Sequence, residues 1–188
     1  YSLATPNGVK VTVMLEELLA LGHHGAEYDA WLVNIRDGNQ FSSGFVDANP
    51  NSKIPALFDH STPTPTRVFE SGSILLYLAE KFGAFLPTEY HARTETINWL
   101  MWQMGGVGPM FGQVHHFVKY NKGKSAYAEE RYSKEARRLY GVMDKRLSQS
   151  QYIAGKDYSI VDISIWPWTA RFDWQEIDLN EFPNVARW

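Results

Sequence analysis

Four residues near the start of the chain, Thr5-Pro6-Asn7-Gly8, could stabilise an anion. They lie between a predicted short strand and a predicted helix. A hydroxyl and an amide therefore stand at a helix N-terminus, where orphan N–H groups and the helix dipole favour negative charge. A thiolate is one anion that this position would stabilise. The alternative is structural: Thr5 caps the helix, Pro6 occupies its first turn and Asn7 only turns the chain.

A second segment, Asn49 to Leu57, joins a turn to a predicted strand through the Ile54-Pro55 bond. If this bond is cis, the Ile54 N–H and C=O are exposed and can pair with an extended peptide, as another strand would. Lys53 would then stand beside that peptide as a counter-charge for a carboxylate. An ordinary prolyl turn with a solvated lysine is the alternative.

A third segment, Phe69 to Ile74, again joins a predicted strand to a predicted helix. The Ser71 hydroxyl and the nearby N–H groups could hold an α-carboxylate, while Glu70 could receive an α-ammonium group. Together these groups match one amino-acid head group. The alternative is that Ser71 caps the helix and Glu70 complements its dipole.

The joint order of the three segments describes the parts of a single ligand. The first suits a thiolate, the second a peptide backbone and the third a free amino-acid end, and glutathione, a cysteinyl peptide with a γ-glutamyl head, has all three. The chain contains no cysteine, which excludes a disulfide, a thiolate metal site and a protein thiol nucleophile within it. Any thiol chemistry must therefore use a thiol that arrives as substrate.

The elements that would position these residues change in character along the chain. Strands are predicted at Tyr1–Ala4, Tyr28–Ile35, Ile54–Phe58 and Arg67–Phe69, and helices at Gly8–Leu21 and Ser71–Lys81. This order indicates a small α/β domain with a mixed sheet. Long segments of helical period follow, near 93–120, 124–148 and 159–171, with Gly105 to Pro109 expected to bend or interrupt the first.

We therefore predict an α/β domain at residues 1–83 and an all-α domain at residues 90–188, joined by a linker that contains Pro87. The net charge of −3 and the pI near 6.1 argue against a nucleic-acid partner. No apolar stretch approaches the length of a membrane span, so a soluble, cytoplasmic protein without a membrane partner is expected.

From Ser2 to Trp188 the sequence resembles the glutathione transferases. The Thr5–Gly8 segment, the Asn49–Pro55 run, Phe69–Leu78 and the stretch Trp102–Gln113 are similar to the bacterial Nu class and to related fungal transferases. The resemblance implies a thioredoxin-like N-terminal domain, a helical C-terminal transferase domain and a homodimer. It also implies glutathione-dependent reduction of disulfides, with weaker conjugating activity. The family pattern continues beyond Trp188, so the chain is expected to be truncated.

The resemblance also implies site residues. Thr5 and Asn7 match the positions that contact the glutathione sulfur, and Tyr1 is expected to pack rather than to act as a catalytic tyrosine. The remaining matched positions bind other parts of glutathione: Gln40 near its glycyl end, Lys53 and Ile54 along its backbone, Glu70 and Ser71 at its γ-glutamyl end, and Gln103 and Arg131 from the helical domain.

The expected reaction starts with a thiolate that Thr5, Asn7 and the helix dipole stabilise. The thiolate attacks a small disulfide, and a second glutathione releases oxidised glutathione. Two alternatives stay open. One is conjugation to an apolar electrophile held by Trp102, Met110, Phe111 or Phe117. The other is a regulator of the same fold, as in the yeast nitrogen regulator, which has alanine where Thr5 stands.

Two further motifs favour structural roles over chemistry. The pairs His23-His24 and His115-His116 lack spaced carboxylates or cysteines that would complete a metal site, which indicates surface or packing roles and no bound metal. Ser159 and Asp162 have the spacing of a capping box at the start of a helix.

Overall fold

The computed structural model describes the backbone of all 188 residues and the side chains of all residues except Ser43. The chain divides into two compact units, Tyr1–Leu86 and Pro87–Trp188. The division falls inside the segment that the sequence predicts as a linker.

The first unit is built on a small sheet. Strands β1 (Ala56–Asp59) and β2 (Thr66–Phe69) pair antiparallel, with Ala56 opposite Phe69. On the other side of β1, Tyr1 and Ala56 exchange both backbone hydrogen bonds at 3.0 Å, as opposed residues of an antiparallel pair do. Ser2 in turn forms a parallel bridge with Leu32. The regular sheet is therefore the antiparallel pair β1 and β2, and the mixed directions that the sequence predicts come from one parallel bridge beside it.

Three helices complete this unit: α1 (Pro6–Ala20), the short α2 (Ser43–Ala48) and α3 (Ser71–Phe82), with 3-10 turns at His24–Ala26 and Asn39–Phe41. Helices α1 and α3 pack on each other. Helix α2 contributes Phe45 and Ala48 to a cluster with Val33 and Ala56.

The second unit contains only helices and turns in the part of it that the structure describes. They are α4 (Tyr90–Trp102), a π-helical turn (Gln103–Val107), α5 (Gly108–Val114), a second π-helical turn (His115–Tyr120), α6 (Ala126–Leu147), α7 (Ile160–Thr169) and α8 (Pro183–Arg187), with 3-10 turns at Phe172–Gln175 and Leu179–Glu181. The order predicted from the sequence, an α/β domain followed by an all-helical domain, is confirmed.

Three structural expectations need correction. The strand predicted at Tyr1–Ala4 is not regular and is limited to the pairing of Tyr1 with Ala56 and the bridge at Ser2. The strand predicted at Tyr28–Ile35 forms only the single bridge at Leu32, because Val33 alone in this stretch buries its side chain and most of the others face solvent. The stretch before Ile54, where the sequence predicts no helix, contains α2. Phe45 and Ala48, three positions apart, share one helical face that packs into the core.

Other local expectations are confirmed. The glycine-rich stretch interrupts the first long helix as a π-helical turn, and α5 begins at Gly108 with Pro109 in its first turn. Ser159 and Asp162 form the predicted capping box of α7. The Tyr1 ring packs against Trp31 and Phe58, with ring centroids 6.3 and 6.1 Å away.

Candidate functional site

Thr5 occupies the N-cap of α1. Its backbone is extended, with φ −92° and ψ 161°, and its Oγ1 accepts a hydrogen bond from the Gly8 N–H at 3.3 Å. Pro6 opens the helix and the half-buried Asn7 lies in its first turn. Because a hydroxyl carries one proton of its own besides its acceptor lone pairs, the capping bond leaves Thr5 able to donate. The capping role and a contact to a thiolate are therefore compatible.

Gly8 brings the first turn of α1 against the first extended segment. A Cβ atom at this position would lie 2.1 Å from the Leu3 carbonyl oxygen and 2.4 Å from the Ser2 Oγ. The Leu3 oxygen belongs to the backbone, so it cannot move away unless the chain moves with it. Only glycine therefore allows the N-terminus of α1 to sit as close to the sheet as it does.

A buried asparagine shapes the loop before β1. Asn49 is 1% exposed, and its Nδ2 donates to the Lys53 carbonyl at 2.7 Å while its Oδ1 accepts from the Asn51 N–H at 2.9 Å. The Ile54-Pro55 bond that follows is cis. Within the part of the chain that the structure describes, neither the N–H nor the C=O of Ile54 has a hydrogen-bond partner, and the Lys53 side chain is exposed.

Glu70 and Ser71 stand at the N-terminus of α3. Glu70 is exposed and has φ 68° and ψ 123°, a left-handed conformation that costs a non-glycine residue about 1–3 kcal/mol. Its carbonyl oxygen accepts from the Ile74 N–H at 2.9 Å. Ser71 is 3% exposed. A strained acidic residue beside a buried serine, at a helix N-terminus, is an arrangement suited to the two charges of an amino acid.

Sequence reasoning missed Lys10, whose side chain is fully buried. Its Nζ lies 3.2 Å from the Ser71 Oγ and so connects α1 to α3. Burial lowers the pKa of Lys10 to about 7, although the negative charge of Glu70 acts to raise it. A signal existed in the sequence, because Lys10 is spaced four residues from Met14 and eight from Leu18, on a helical face that is otherwise apolar.

Gln40 lies in the 3-10 turn Asn39–Phe41, after Gly38 with φ 76°. The side chain is half-buried, and its Oε1 is shielded from solvent without a hydrogen-bond partner among the described residues. A buried acceptor of this kind is uncommon and costs free energy until a donor reaches it. Gln40 is therefore suited to receive an N–H group from a ligand.

Gln103 and Arg131 belong to the helical unit. Gln103 is fully buried in the first π-helical turn, where a Cβ on Gly108 would lie 3.0 Å from its Nε2. Arg131 is exposed on α6; the hydrogen bonds from Arg138 lower the pKa of Glu135, and the positive charge of Arg131 adds to this effect. The contacts described above connect Lys10 of α1 with Ser71 of α3, and they include neither Gln103 nor Arg131.

Two of the residues considered for other roles, Phe111 and His115, lie in the helical core. Phe111 is fully buried and stacks on Tyr140 at 5.1 Å between centroids, which removes it from the surfaces that could hold an apolar electrophile. His115 is buried among aromatic rings. Across the described side chains, no group of three or more His, Asp or Glu residues could hold a metal ion.

Comparison with known proteins places the chain in a family. Residues 10–81 match the model of the glutathione S-transferase N-terminal domain, and residues 126–188 match that of the glutathione S-transferase C-terminal domain. Together the two models cover more than half of the chain. The chain belongs to the glutathione S-transferase family.

Its relatives include the disulfide-bond oxidoreductase YghU of Escherichia coli, which is 56% identical over an aligned length of 195 residues. The alignment covers 100% of this chain and 68% of that protein. Among solved structures, the glutathione transferase YghU of Streptococcus pneumoniae, complexed with glutathione, is 48% identical, with a TM-score of 0.94 over 100% of this chain and 75% of that one. A Pseudomonas putida glutathione transferase with one glutathione disulfide bound per subunit is 41% identical, with a TM-score of 0.90 over 100% and 82%.

Proposed function

We propose that the protein is a glutathione-dependent disulfide-bond reductase. The observation that carries this proposal is the 56% identity, over the whole chain, to a disulfide-bond oxidoreductase. The absence of cysteine from the sequence supports it. Without a thiol in this sequence, both electrons can come from a thiol substrate, and the relatives described with glutathione or its disulfide indicate which thiol.

The geometry of the first unit supports a binding mode for glutathione. The Ile54 N–H and C=O pair with the cysteinyl backbone of the ligand. The positive charge of Lys53 balances a carboxylate of the ligand. Ser71 and the first N–H groups of α3 hold the α-carboxylate, and the exposed Glu70 receives the α-ammonium. The Gln40 Oε1 accepts a hydrogen bond near the glycyl end. Gln103 and Arg131 are included as further contacts on the resemblance alone.

The reaction begins with ionisation of the bound thiol. Hydrogen bonds from Thr5 and Asn7 to the sulfur favour the thiolate, and the positive end of α1 adds to this effect. The thiolate attacks one sulfur of the substrate disulfide, so one S–S bond breaks, a mixed disulfide forms and one thiol leaves after taking up a proton. A second glutathione thiolate attacks the mixed disulfide, which releases the second thiol and oxidised glutathione.

The proposal is tested by comparing two reactions of the same preparation. Reduction of 2-hydroxyethyl disulfide by glutathione, coupled to glutathione reductase, should be faster than conjugation of glutathione to 1-chloro-2,4-dinitrobenzene. Calorimetric titration with glutathione measures binding independently of turnover. Faster conjugation would contradict the reductase assignment. Binding without either reaction would contradict an enzymatic function and favour a regulator of this fold.

The proposal also includes a homodimer and a cytoplasmic location, as the resemblance implies. Light scattering after size exclusion should give about twice the chain mass of 21.5 kDa. Within the part of the chain that the structure describes, no helix is both long enough and apolar enough to span a bilayer. Fractionation of cells that express the natural protein would test the location.

A further inference from the structure

Lys10 is a buried cation in an otherwise apolar part of α1. Its side chain is completely buried, and its buried neighbours on the helix include Val11 and Met14. Burying an ammonium group in such surroundings costs free energy unless polar groups compensate, and the lowered pKa of Lys10 is the sign of this cost. An apolar side chain of similar volume would fill the position without that penalty. Packing alone therefore does not explain why a lysine occupies position 10.

The contact to Ser71 defines how the serine hydroxyl can act. When Lys10 is protonated, its ammonium group has three donors and no acceptor, so in the 3.2 Å contact the Ser71 Oγ accepts from the Lys10 Nζ. The serine proton must then be donated in another direction. A neutral side chain at position 10 would place no such requirement on the hydroxyl.

The charge of Lys10 also acts on the neighbouring acidic group. Glu70, one residue before Ser71, is the carboxylate whose charge stabilises the Lys10 ammonium. Because the buried cation is little screened by water, its field at the N-terminus of α3 is stronger than that of an exposed lysine. A second carboxylate that approached Ser71 would experience this field together with the first N–H groups of α3.

We propose that Lys10 is a positioning residue for the amino-acid end of glutathione. Its ammonium group keeps the Ser71 hydroxyl oriented as a donor to the α-carboxylate. Its charge also offsets the negative charge that the ligand brings beside Glu70. This inference rests on the proposed function, because it assigns a role to Lys10 at the same glutathione site.

The experiment compares two ligands and a small set of variants by calorimetric titration. One ligand is glutathione, and the other is γ-aminobutyryl-cysteinyl-glycine, which lacks only the α-carboxylate. Lys10→Met removes the charge while nearly keeping the volume of the side chain. Lys156→Met, at an exposed lysine of the helical unit, is the matched control for losing one positive charge. Circular dichroism and thermal melting establish that Lys10→Met folds; we expect it to melt no lower than the wild type at pH 7.

Lys10→Met should weaken glutathione binding about 10-fold or more, as expected for loss of support to a charged hydrogen bond. Binding of the analogue should change less than about 2-fold, and Lys156→Met should change neither. The double variant Lys10→Met/Ser71→Ala should lose less binding free energy than the sum of the two single losses, because part of the effect of Lys10 acts through the serine.

The outcomes separate this inference from the proposed function. Equal weakening of both ligands, or additive effects of Lys10→Met and Ser71→Ala, would overturn the role of Lys10 while leaving glutathione binding intact. Failure of the wild type to bind glutathione would overturn both. If the wild type binds glutathione but does not reduce disulfides, the titrations still decide the role of Lys10.

Discussion

Thr5 can serve the fold and the proposed reaction with the same oxygen atom. The hydroxyl accepts a capping bond from the Gly8 N–H and retains a proton to donate. From the sequence these two roles are alternatives, because the same residue types are preferred at helix N-caps and at anion-binding helix N-termini. A substitution that removes the hydroxyl should therefore affect both stability and turnover.

Thr5→Ala should lower kcat for disulfide reduction about 10- to 100-fold with a smaller change in KM, because the contact to sulfur strengthens as the thiol ionises. Loss of the cap should also lower the free energy of unfolding by about 1 kcal/mol. Steady-state kinetics and urea denaturation measure the two effects. Thr5→Ser, which keeps the hydroxyl, is the matched control. An unchanged kcat in Thr5→Ala would rule out the contact to sulfur.

At the scale of elements, α1 carries the first part of the candidate site and depends on close packing against the first extended segment. A Cβ at Gly8 would overlap the Leu3 carbonyl oxygen, so the helix would have to move away from the sheet. Thr5 and Asn7 would move with it. The placement of the proposed sulfur site is therefore tied to one glycine.

Gly8→Ala should destabilise the protein by about 1–3 kcal/mol, as overpacking does, and should reduce turnover. Gly141→Ala is the matched control, since Gly141 lies inside α6 and a Cβ atom added there would have nothing within 4 Å. That substitution should leave turnover unchanged and stabilise the protein by a few tenths to about 1 kcal/mol. Equal stability of the two variants in urea denaturation would contradict the close approach.

At the scale of the whole molecule, a buried polar network connects distant parts of the helical unit. The Gln175 Nε2 lies 3.0 Å from the His115 Nε2 and donates to the Trp168 carbonyl, while its Oε1 accepts from the Tyr140 hydroxyl at 2.7 Å. Burial and the positive charge of Arg171 lower the pKa of His115 to about 4. Facing an amide NH2 group, the His115 Nε2 acts as an acceptor, which requires the neutral imidazole.

This network predicts a stability change with pH. The pKa of His115 is lower in the folded protein than the ordinary 6.5, so the unfolded chain binds more protons between pH 6.5 and 4. Stability should therefore fall as pH decreases through this window, by about 2 kcal/mol for this histidine after allowance for solvent screening. Urea denaturation followed by tryptophan fluorescence suits the measurement, because six of the seven tryptophans lie in the helical unit.

His115→Gln, which can keep an acceptor at the same place without titrating, should lose less stability than the wild type between pH 6.5 and 4. The exposed neighbour supplies the control, since His116→Gln should leave the pH dependence as it is. If His115→Gln and the wild type lose stability in parallel, His115 is not held neutral by its surroundings.

Much of the first unit could be predicted because its signals are local. The Pro6 helix start, the X-Pro turn at Ile54 and the acid-serine pair each depend on neighbours within a few residues. Long helices were also recognisable from their period. Helical period alone does not separate the fully buried positions of α1, such as Val11 and Met14, from the half-buried Val9.

The sequence by itself determined the ligand class expected at three turns, the absence of a protein thiol and the order of a mixed sheet followed by helices. Tertiary structure decided what no local pattern contains. It placed the Lys10 ammonium against Ser71, 61 residues away, and His115 against Gln175, 60 residues away. The physical reason is that the cost of burying a polar group depends on the partner it meets, and that partner is set by the packing of distant segments.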